Sequence, residues 1–409
     1  MSALSERYIY ADNAATTPLS PAALEAMMPY LTSEFGNPGG IHRVAKAAAN
    51  ALADARARTA AQLGAKPHEL YYTSGGSESD NWVVWGAVQR YHDLYGADAP
   101  VRVITSAIEH HAVLHTCRAL GSAQAEITYL PVDAQGHVHV EDLEHALEEA
   151  RAASLAAGVD APGAALVSIM LANNEVGTIQ DVPALAAVAH SHGVPFHTDA
   201  VQAVGHIPVN VDDLNVDALS LSGHKFHGPR GIGALYLREG FSIPPFIEGG
   251  GQERGERAGT ENVAGAVGMA AALEEAHEGL ADRMARVGAL RDQLVEHVLA
   301  TVDDVRYTGD PDPEHRLPSI ASFACKNVDG ELLVVLLDRA GVAAATGSAC
   351  STGSTDPSHV ATALGLDDPV WAHGTLRLSL ADNVAEEDIT ELCDRVPRCI
   401  KRARLLSTR

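Results

Sequence analysis

The feature that most constrains the fold is an alternation, through the first half of the chain, of short apolar runs with longer segments patterned like helices. Runs at 70–73, 101–105, 126–130, 165–171 and 195–198 read as buried strands. Helical patterns read at 21–31, 42–63, from after residue 81 to about 91, 112–120, 140–157 and 182–192. Further apolar runs at 216–221 and 231–237 add strands. Such an alternation predicts a mostly parallel sheet, seven-stranded on this count, with helices on both faces. In sheets of this kind binding sites lie at the carboxyl ends of the strands.

Polar clusters fall at those ends: Glu109-His110-His111, Asn173-Asn174-Glu175, His197-Thr198-Asp199 with Gln202, and Ser222-Gly223-His224-Lys225. Any one of them could be a cap or a turn; together they outline a site. Lys225 is one of five lysines in a chain whose basic residues are mostly arginines. Only a primary amine forms a Schiff base with an aldehyde, so Lys225 is the candidate attachment point for pyridoxal phosphate. Asp199 then suits the ring nitrogen, although a helix cap would use the same residue. Gly76 and Ser77, in a small-residue turn before a helix, can cradle the phosphate with Ser222 and His224, and a plain capped turn looks the same. His110 offers a flat ring for stacking and proton transfer. A metal site at His110, His111 and His115 finds only Glu109 in reach, and twenty histidines make chance clusters common, so no metal is expected.

Cys350 stands in a small polar loop, 346–357, where a thiol is exposed and mobile and suits a nucleophile that must travel. Cys117, Cys325, Cys393 and Cys399 read as packing residues. Arg377, on the strand after that loop, can grip a carboxylate with two prongs or make a sheet-edge salt bridge. The stretch 249–260 reads as a mobile glycine-rich loop. A long helical segment, 263–299, reads as a bridge into a second domain with a strand at 319–323, a helix at 330–340, a strand at 375–379 and a final helix from about 386. The expected division is a large domain, 15–262, and a smaller α+β domain made of 1–14 and 263–409.

The 409 residues are enough for both. A net charge of -24 argues against nucleic acid or an anionic membrane as the main partner. The N-terminus lacks a basic segment followed by an apolar one, and nowhere do eighteen apolar residues run together, so the expected location is cytoplasmic. Five scattered cysteines with no C-x-x-C pair suit a reducing compartment.

These residues together resemble the cysteine desulfurase family, the NifS/IscS-like branch of the class V aminotransferases. The likeness rests on Asp12-Asn13-Ala14-Ala15-Thr16-Thr17-Pro18, Phe35-Gly36-Asn37-Pro38, Thr73-Ser74-Gly75, Glu78-Ser79-Asp80-Asn81, Glu109-His110, Asn173-Asn174-Glu175-Val176-Gly177, Asp199 with Gln202, Ser222 to Lys225, Gly249 to Thr260 and Gly347-Ser348-Ala349-Cys350. It implies a type I pyridoxal-phosphate fold and a homodimer. Lys225 would hold the cofactor covalently, Asp199 its ring nitrogen, Asn174 and Gln202 its phenolic side, and His110 would stack on the ring. Gly76, Ser77, Ser222 and His224 would bind the phosphate, with Thr260 reaching in from the partner subunit. L-cysteine would be held by Arg377, Asn37 and Asn174, Lys225 would move its α proton, and Cys350 would take the sulfur as a persulfide, releasing alanine. The implied acceptor is another protein, of iron-sulfur assembly or of tRNA or DNA thiolation. Ser77 stands where the family commonly has Thr, Gly39-Gly40 follow Pro38, and Ala381-Asp382 follow Ser379-Leu380 where the family usually has Gly. Competing readings are a selenocysteine lyase, an aminotransferase-like relative without a persulfide, and a docking protein of a sulfur pathway that has lost catalysis.

Overall fold

A computed structural model describes residues 7–121, 124–347 and 357–407. The chain enters through β1 (Ile9–Tyr10) and α1 (Pro21–Thr32), which starts as its Ser-Pro sequence requires: Ser20 Oγ accepts from Ala23 N–H at 3.1 Å and Pro21 fills the first turn. The alanine-rich α2 (Arg43–Gln62) follows. Then come β2 (Leu70–Thr73), α3 (Gly76–Tyr95), β3 (Arg102–Ser106), α4 (His111–Gly121), β4 (Glu126–Leu130), α5 (Val140–Ala156), β5 (Ala164–Ser168), α6 (Val182–Ser191), β6 (Phe196–Asp199), β7 (Ala218–Ser222) and β8 (Gly233–Leu237).

These strands form a seven-stranded sheet in the order β2-β8-β7-β6-β5-β3-β4. All pairs are parallel except those of β8, which runs antiparallel to both neighbours. The expected sheet is therefore present, and β2, β3, β5, β6 and β7 all end at one edge. One face carries Phe196, Leu219 and Tyr236 against α5, α6 and α7 (Val263–His277); the other carries Val103, Leu166 and Leu235 against Trp82 of α3 and Val113 of α4.

The remaining elements are α8 (Leu280–Thr301), β9 (Val305–Tyr307), β10 (Ile320–Cys325), α9 (Gly330–Arg339), β11 (Val342–Ala343), α10 (His359–Ala363), α11 (Pro369–Ala372), β12 (Thr375–Ser379) and α12 (Glu386–Ser407). β12, β10 and β9 make an antiparallel sheet whose core joins Leu294 of α8, Phe323 and Leu376 to Leu392 of α12.

Two local readings change. The segment 263–299 is not continuous: Gly279 sits at φ 62 and breaks it, so that α7 packs on α1 and α2 within the first core while α8 belongs to the second. α3 starts at Gly76 rather than after Asn81, because its first turn is polar and carries no apolar period to announce it. The stretch 8–17 reads in the sequence as a short strand running into a polar turn, and β1 lies there, whereas β9 and β11 escape sequence reading because two or three residues hold no detectable alternation.

Candidate active site

At the common strand edge the chain encloses a cavity of about 300 Å³. Its walls come from every strand end that the polar clusters marked. Gly76 and Ser77 arrive with α3, whose cap residue, Gly75, has no side chain to satisfy the first amides. Gly75 holds a φ of 153 that favours glycine, and it is Gly233 that must lack a side chain, since a Cβ there would lie 2.7 Å from Gly75 Cα. These free N–H groups at the positive end of a long helix suit an anion. Ser222 and His224 face the same cavity, with His224 Nδ1 3.1 Å from Thr16 Oγ1.

Lys225 lies on a 3-10 turn, Gly223–Lys225, directly after β7. Its Nζ donates to the carbonyls of Ala14 and Ala15 at 2.7 and 2.9 Å. The chain between β1 and α1 thus wraps the lysine turn, and Thr17 ties it further: its Oγ1 donates to His224 O and accepts from His227 N. Gln202 Nε2 donates to the same Ala14 carbonyl at 3.0 Å.

Asp199 ends β6 and accepts from Val201 N–H at 2.9 Å; burial pushes its carboxyl up to about 6, against the pull of that amide and of Lys225. Asp80, on the first turn of α3, is a site residue the sequence reading left in a turn. It is 1% exposed, lines the cavity, and one of its oxygens, Oδ1, has no hydrogen-bond partner among the described residues. Burial and the neighbouring Asp199 raise its carboxyl well above the ordinary range. Ligand-type atoms of Asp80, His110 and Asp199 lie within 4.8 Å of one another. Two buried carboxyls and an unpartnered oxygen attract a protonated ring nitrogen.

His110 lies just before α4. Burial, then Lys225, pushes its imidazole down to about 4, so the ring is neutral, and Ala112 N–H donates to Nδ1 at 3.1 Å. The hydrogen is therefore on Nε2. Glu109 fixes this corner: its carboxylate accepts from Ser106 Oγ at 2.5 Å and from Met170 N–H at 3.0 Å, joining the ends of β3 and β5.

Across the cavity, Arg377 of β12 donates to Asn174 O and pairs with Asp12, both at 2.8 Å, while its Nε has no hydrogen-bond partner among the described residues. Of the two readings of Arg377, the salt bridge is the one formed, as a buried pair with Asp12. Asn174 lines the cavity, and Asn173 does not: its Nδ2 is spent on Ile108 O. Glu175 is a second site residue the sequence reading left without a role. Burial pushes it up to about 7; it accepts from Ser358 Oγ at 2.6 Å, and a Cβ on cavity-lining Gly347 would meet its Oε2 at 2.4 Å. Gly347 and Ser358 flank the 348–356 segment, so both flanks reach Glu175.

The remaining candidates lie elsewhere. Asn37 is exposed, with its Oδ1 accepting from Gly39 N–H, and Thr260 is exposed; neither lines the cavity in this single chain. Cys350 lies outside the described residues. The stretch read as a loose glycine-rich loop is anchored twice: Glu253 is buried in a two-pronged pair with Arg56 at 2.7 Å, and Arg257 grips Glu78 of α3 at 2.7 and 2.9 Å. Mixed charge there serves ion pairing with α2 and α3, which no local pattern reveals.

Comparison with known proteins places this geometry. The family model described as Aminotransferase class-V matches residues 9–392. The protein named Cysteine desulfurase IscS from Methanosarcina thermophila is 43% identical over 98% of this chain and 93% of its own. The IscS-like cysteine desulfurase of Mycobacterium tuberculosis is 42% identical over 97% of each. A solved structure titled NIFS-LIKE PROTEIN superposes with a TM-score of 0.86 at 34% identity, covering 97% of this chain and all of that one. Another, titled SspA in complex with cysteine, gives 0.76 at 34% identity over 91% and 98%. With a cavity built from β2, β3, β5, β6 and β7 ends and a match across nearly its whole length, the chain belongs to the class V aminotransferase family.

Proposed function

We propose that this chain is a pyridoxal 5'-phosphate-dependent cysteine desulfurase, converting L-cysteine to L-alanine with transfer of the sulfur to Cys350. The observation that carries the reading is the meeting of Lys225, Asp199, His110 and Arg377 around one cavity, in a chain whose relatives bear that name. The residues fit the cofactor: an amine for its aldehyde, an open helix N-terminus for its phosphate, and two buried carboxyls, one with an unpartnered oxygen, for its ring nitrogen. When bound, pyridoxal phosphate supplies an electron sink for negative charge at the substrate's α-carbon.

The chain's own residues do the rest. Lys225 would hold the cofactor through its amine and would move the substrate's α proton. Asp199 would answer the ring nitrogen, Asn174 and Gln202 the phenolic side, and the neutral His110 ring would stack on the cofactor, with a hydrogen on Nε2 to offer. Gly76, Ser77, Ser222 and His224 hold the phosphate, and Thr260 of a second copy completes it. Arg377, with its spare Nε donor, takes the substrate carboxylate together with Asn37 and Asn174. The Cys350 thiolate forms an S–S bond with the substrate sulfur as the Cβ–S bond breaks, and the carbon takes up a proton to become the methyl of alanine. Glu175 supports this role, since residues on both sides of the Cys350 segment are seated on it beside the cavity.

A homodimer is supported by an apolar stripe with no cover in the single chain: Leu24, Met28 and Leu31 at helical spacing on α1, with Phe35 76% and Ile41 100% exposed. A cytoplasmic location suits a thiol-based reaction and the four unpaired described cysteines. Among the described residues no helix is long and apolar enough to cross a membrane. The acceptor is another protein.

The test is the absorbance of the purified protein, then L-cysteine with a reductant and assays for sulfide and alanine. A yellow protein releasing both in equal amounts is the expected result. Cys350→Ala should keep the colour and lose sulfide release; a colourless protein that takes up no pyridoxal phosphate would overturn the reading, and a yellow one active on selenocysteine alone would change the substrate.

A further inference from the structure

After β12 the chain turns through Asp382, at the place where it departs from the sequences it resembles. The Asp382 carboxylate faces His206 Nδ1 at 3.6 Å, His227 Nε2 at 3.7 Å and Arg283 Nε of α8 at 3.5 Å. Each histidine spends its other nitrogen on a carbonyl. His206 Nε2 donates to Lys225 O at 2.9 Å, and His227 Nδ1 donates to Pro18 O at 3.0 Å. A carbonyl accepts only, so each ring keeps its hydrogen on that side, and the nitrogen facing Asp382 makes an ion pair with it when it too carries a hydrogen. A neutral ring would turn a lone pair toward one of the two oxygens.

A second observation concerns the backbone. His227 stands at φ 65, in the left-handed region, two residues beyond Lys225. Histidine adopts that conformation at a cost, and such strain persists where surrounding contacts impose it. Here the His227 N–H donates to Thr17 Oγ1 and its carbonyl accepts from Ser20 N–H, while its ring meets Asp382 and the Pro18 carbonyl. Arg286 of α8 also donates to the carbonyls of Asp382 and Val384, which holds the turn after β12 in place.

The two ends of this arrangement are meaningful. One is the peptide of Lys225; the other is the turn that directly continues the Arg377 strand. We propose that Asp382, His206 and His227 form a positioning clamp that holds the Lys225 turn against the end of the Arg377 strand, and that the clamp loosens when His227 gives up its second proton. The proposal deepens the functional reading above and rests on it for the roles of Lys225 and Arg377. None of the three lines the cavity; they act through the lysine turn. The groups facing His227 are Asp382 after β12, Glu275 of α7 and the Pro18 carbonyl, all favouring its charged form, which burial opposes. Asp382 in turn is held far below the ordinary carboxylate range by the histidines and Arg283, against its burial.

The experiment is a histidine-ring NMR titration of the full-length protein, with signals assigned by His206→Gln and His227→Asn, alongside the pH profile of kcat/KM for L-cysteine. Asparagine at 227 tolerates the left-handed backbone and keeps a donor for Pro18 while losing the charge. The wild-type His227 signal should titrate above the ordinary value of about 6.5. Asp382→Asn should move it down, and the alkaline limb of kcat/KM should move down with it; His227→Asn should remove that limb's dependence on Asp382. An unmoved His227 titration in Asp382→Asn, or a limb that shifts without the signal, overturns the clamp. Should Asp382→Asn fail to fold by circular dichroism, His227→Asn alone decides: an unchanged alkaline limb overturns the proposal. If the protein shows no activity on L-cysteine, the functional reading fails, and the NMR titration still judges the clamp.

Discussion

Arg377 forms a buried salt bridge with Asp12, and the proposed grip on the substrate carboxylate would be its second use. It is held by Asp12 and by the Asn174 carbonyl, and its buried Nε has no hydrogen-bond partner among the described residues. A lysine there would preserve the charge and lose the planar fork that can hold Asp12 and a substrate carboxylate together. Arg377→Lys should therefore raise KM for L-cysteine by roughly tenfold or more with a smaller change in kcat, read from steady-state kinetics. The residues most easily misjudged are the buried acids. Asp80 and Glu175 sit within motifs plain in the sequence, yet their roles depend on what the fold sets beside them, Asp199 in one case and Ser358 in the other. No property of the residue type reveals that partner.

Among the elements, the best anticipated were those with strong periodicity and length, such as α2, α5 and the interior strands β5 to β8. The weakest were short strands and the junction at Gly279, where one left-handed glycine divides a stretch of helix-favouring residues between two cores. The 249–260 stretch is the clearest case of an element decided by distant partners. Glu253 and Arg56 are nearly enclosed, with side chains 3% and 11% exposed, and Glu253 also accepts from Tyr72 N–H at 3.0 Å. Removing one charge strands the other in a buried setting. Glu253→Gln should destabilise the protein by about 3 kcal/mol, measured by urea unfolding, and should loosen the segment that carries Thr260.

Asp382, His206, His227 and Arg283 form a charged seam between the lysine turn, α8 and the turn after β12, and that seam makes stability depend on pH in a definite direction. Asp382 has a depressed folded-state pKa, so its contribution is present above the unfolded value of about 3.9 and is lost as pH falls toward the folded one. His227 has a raised pKa, so its contribution is full below the unfolded value of about 6.5 and is lost as pH rises through the folded value. Thermal stability contributed by this seam should thus be greatest between about pH 4 and 6.5. Melting temperature against pH, compared between wild type and Asp382→Asn, checks it: the difference between the two should shrink at both ends of the range.

By itself the sequence determined the layered sheet, the strand ends that carry the site, and the chemistry offered by Lys225, Asp199, His110 and Arg377, because periodicity, turn residues and scarce functional types are local properties. Tertiary structure alone decided that Ala14 and Ala15 carbonyls hold the lysine, that Asp80 adds a second carboxyl beside Asp199, that ion pairs anchor the glycine-rich stretch, and that Asp382 grips the lysine turn. Each of those joins residues far apart in the chain, and the burial that raises or lowers a charge is a property of the packed whole, which no short stretch of sequence contains.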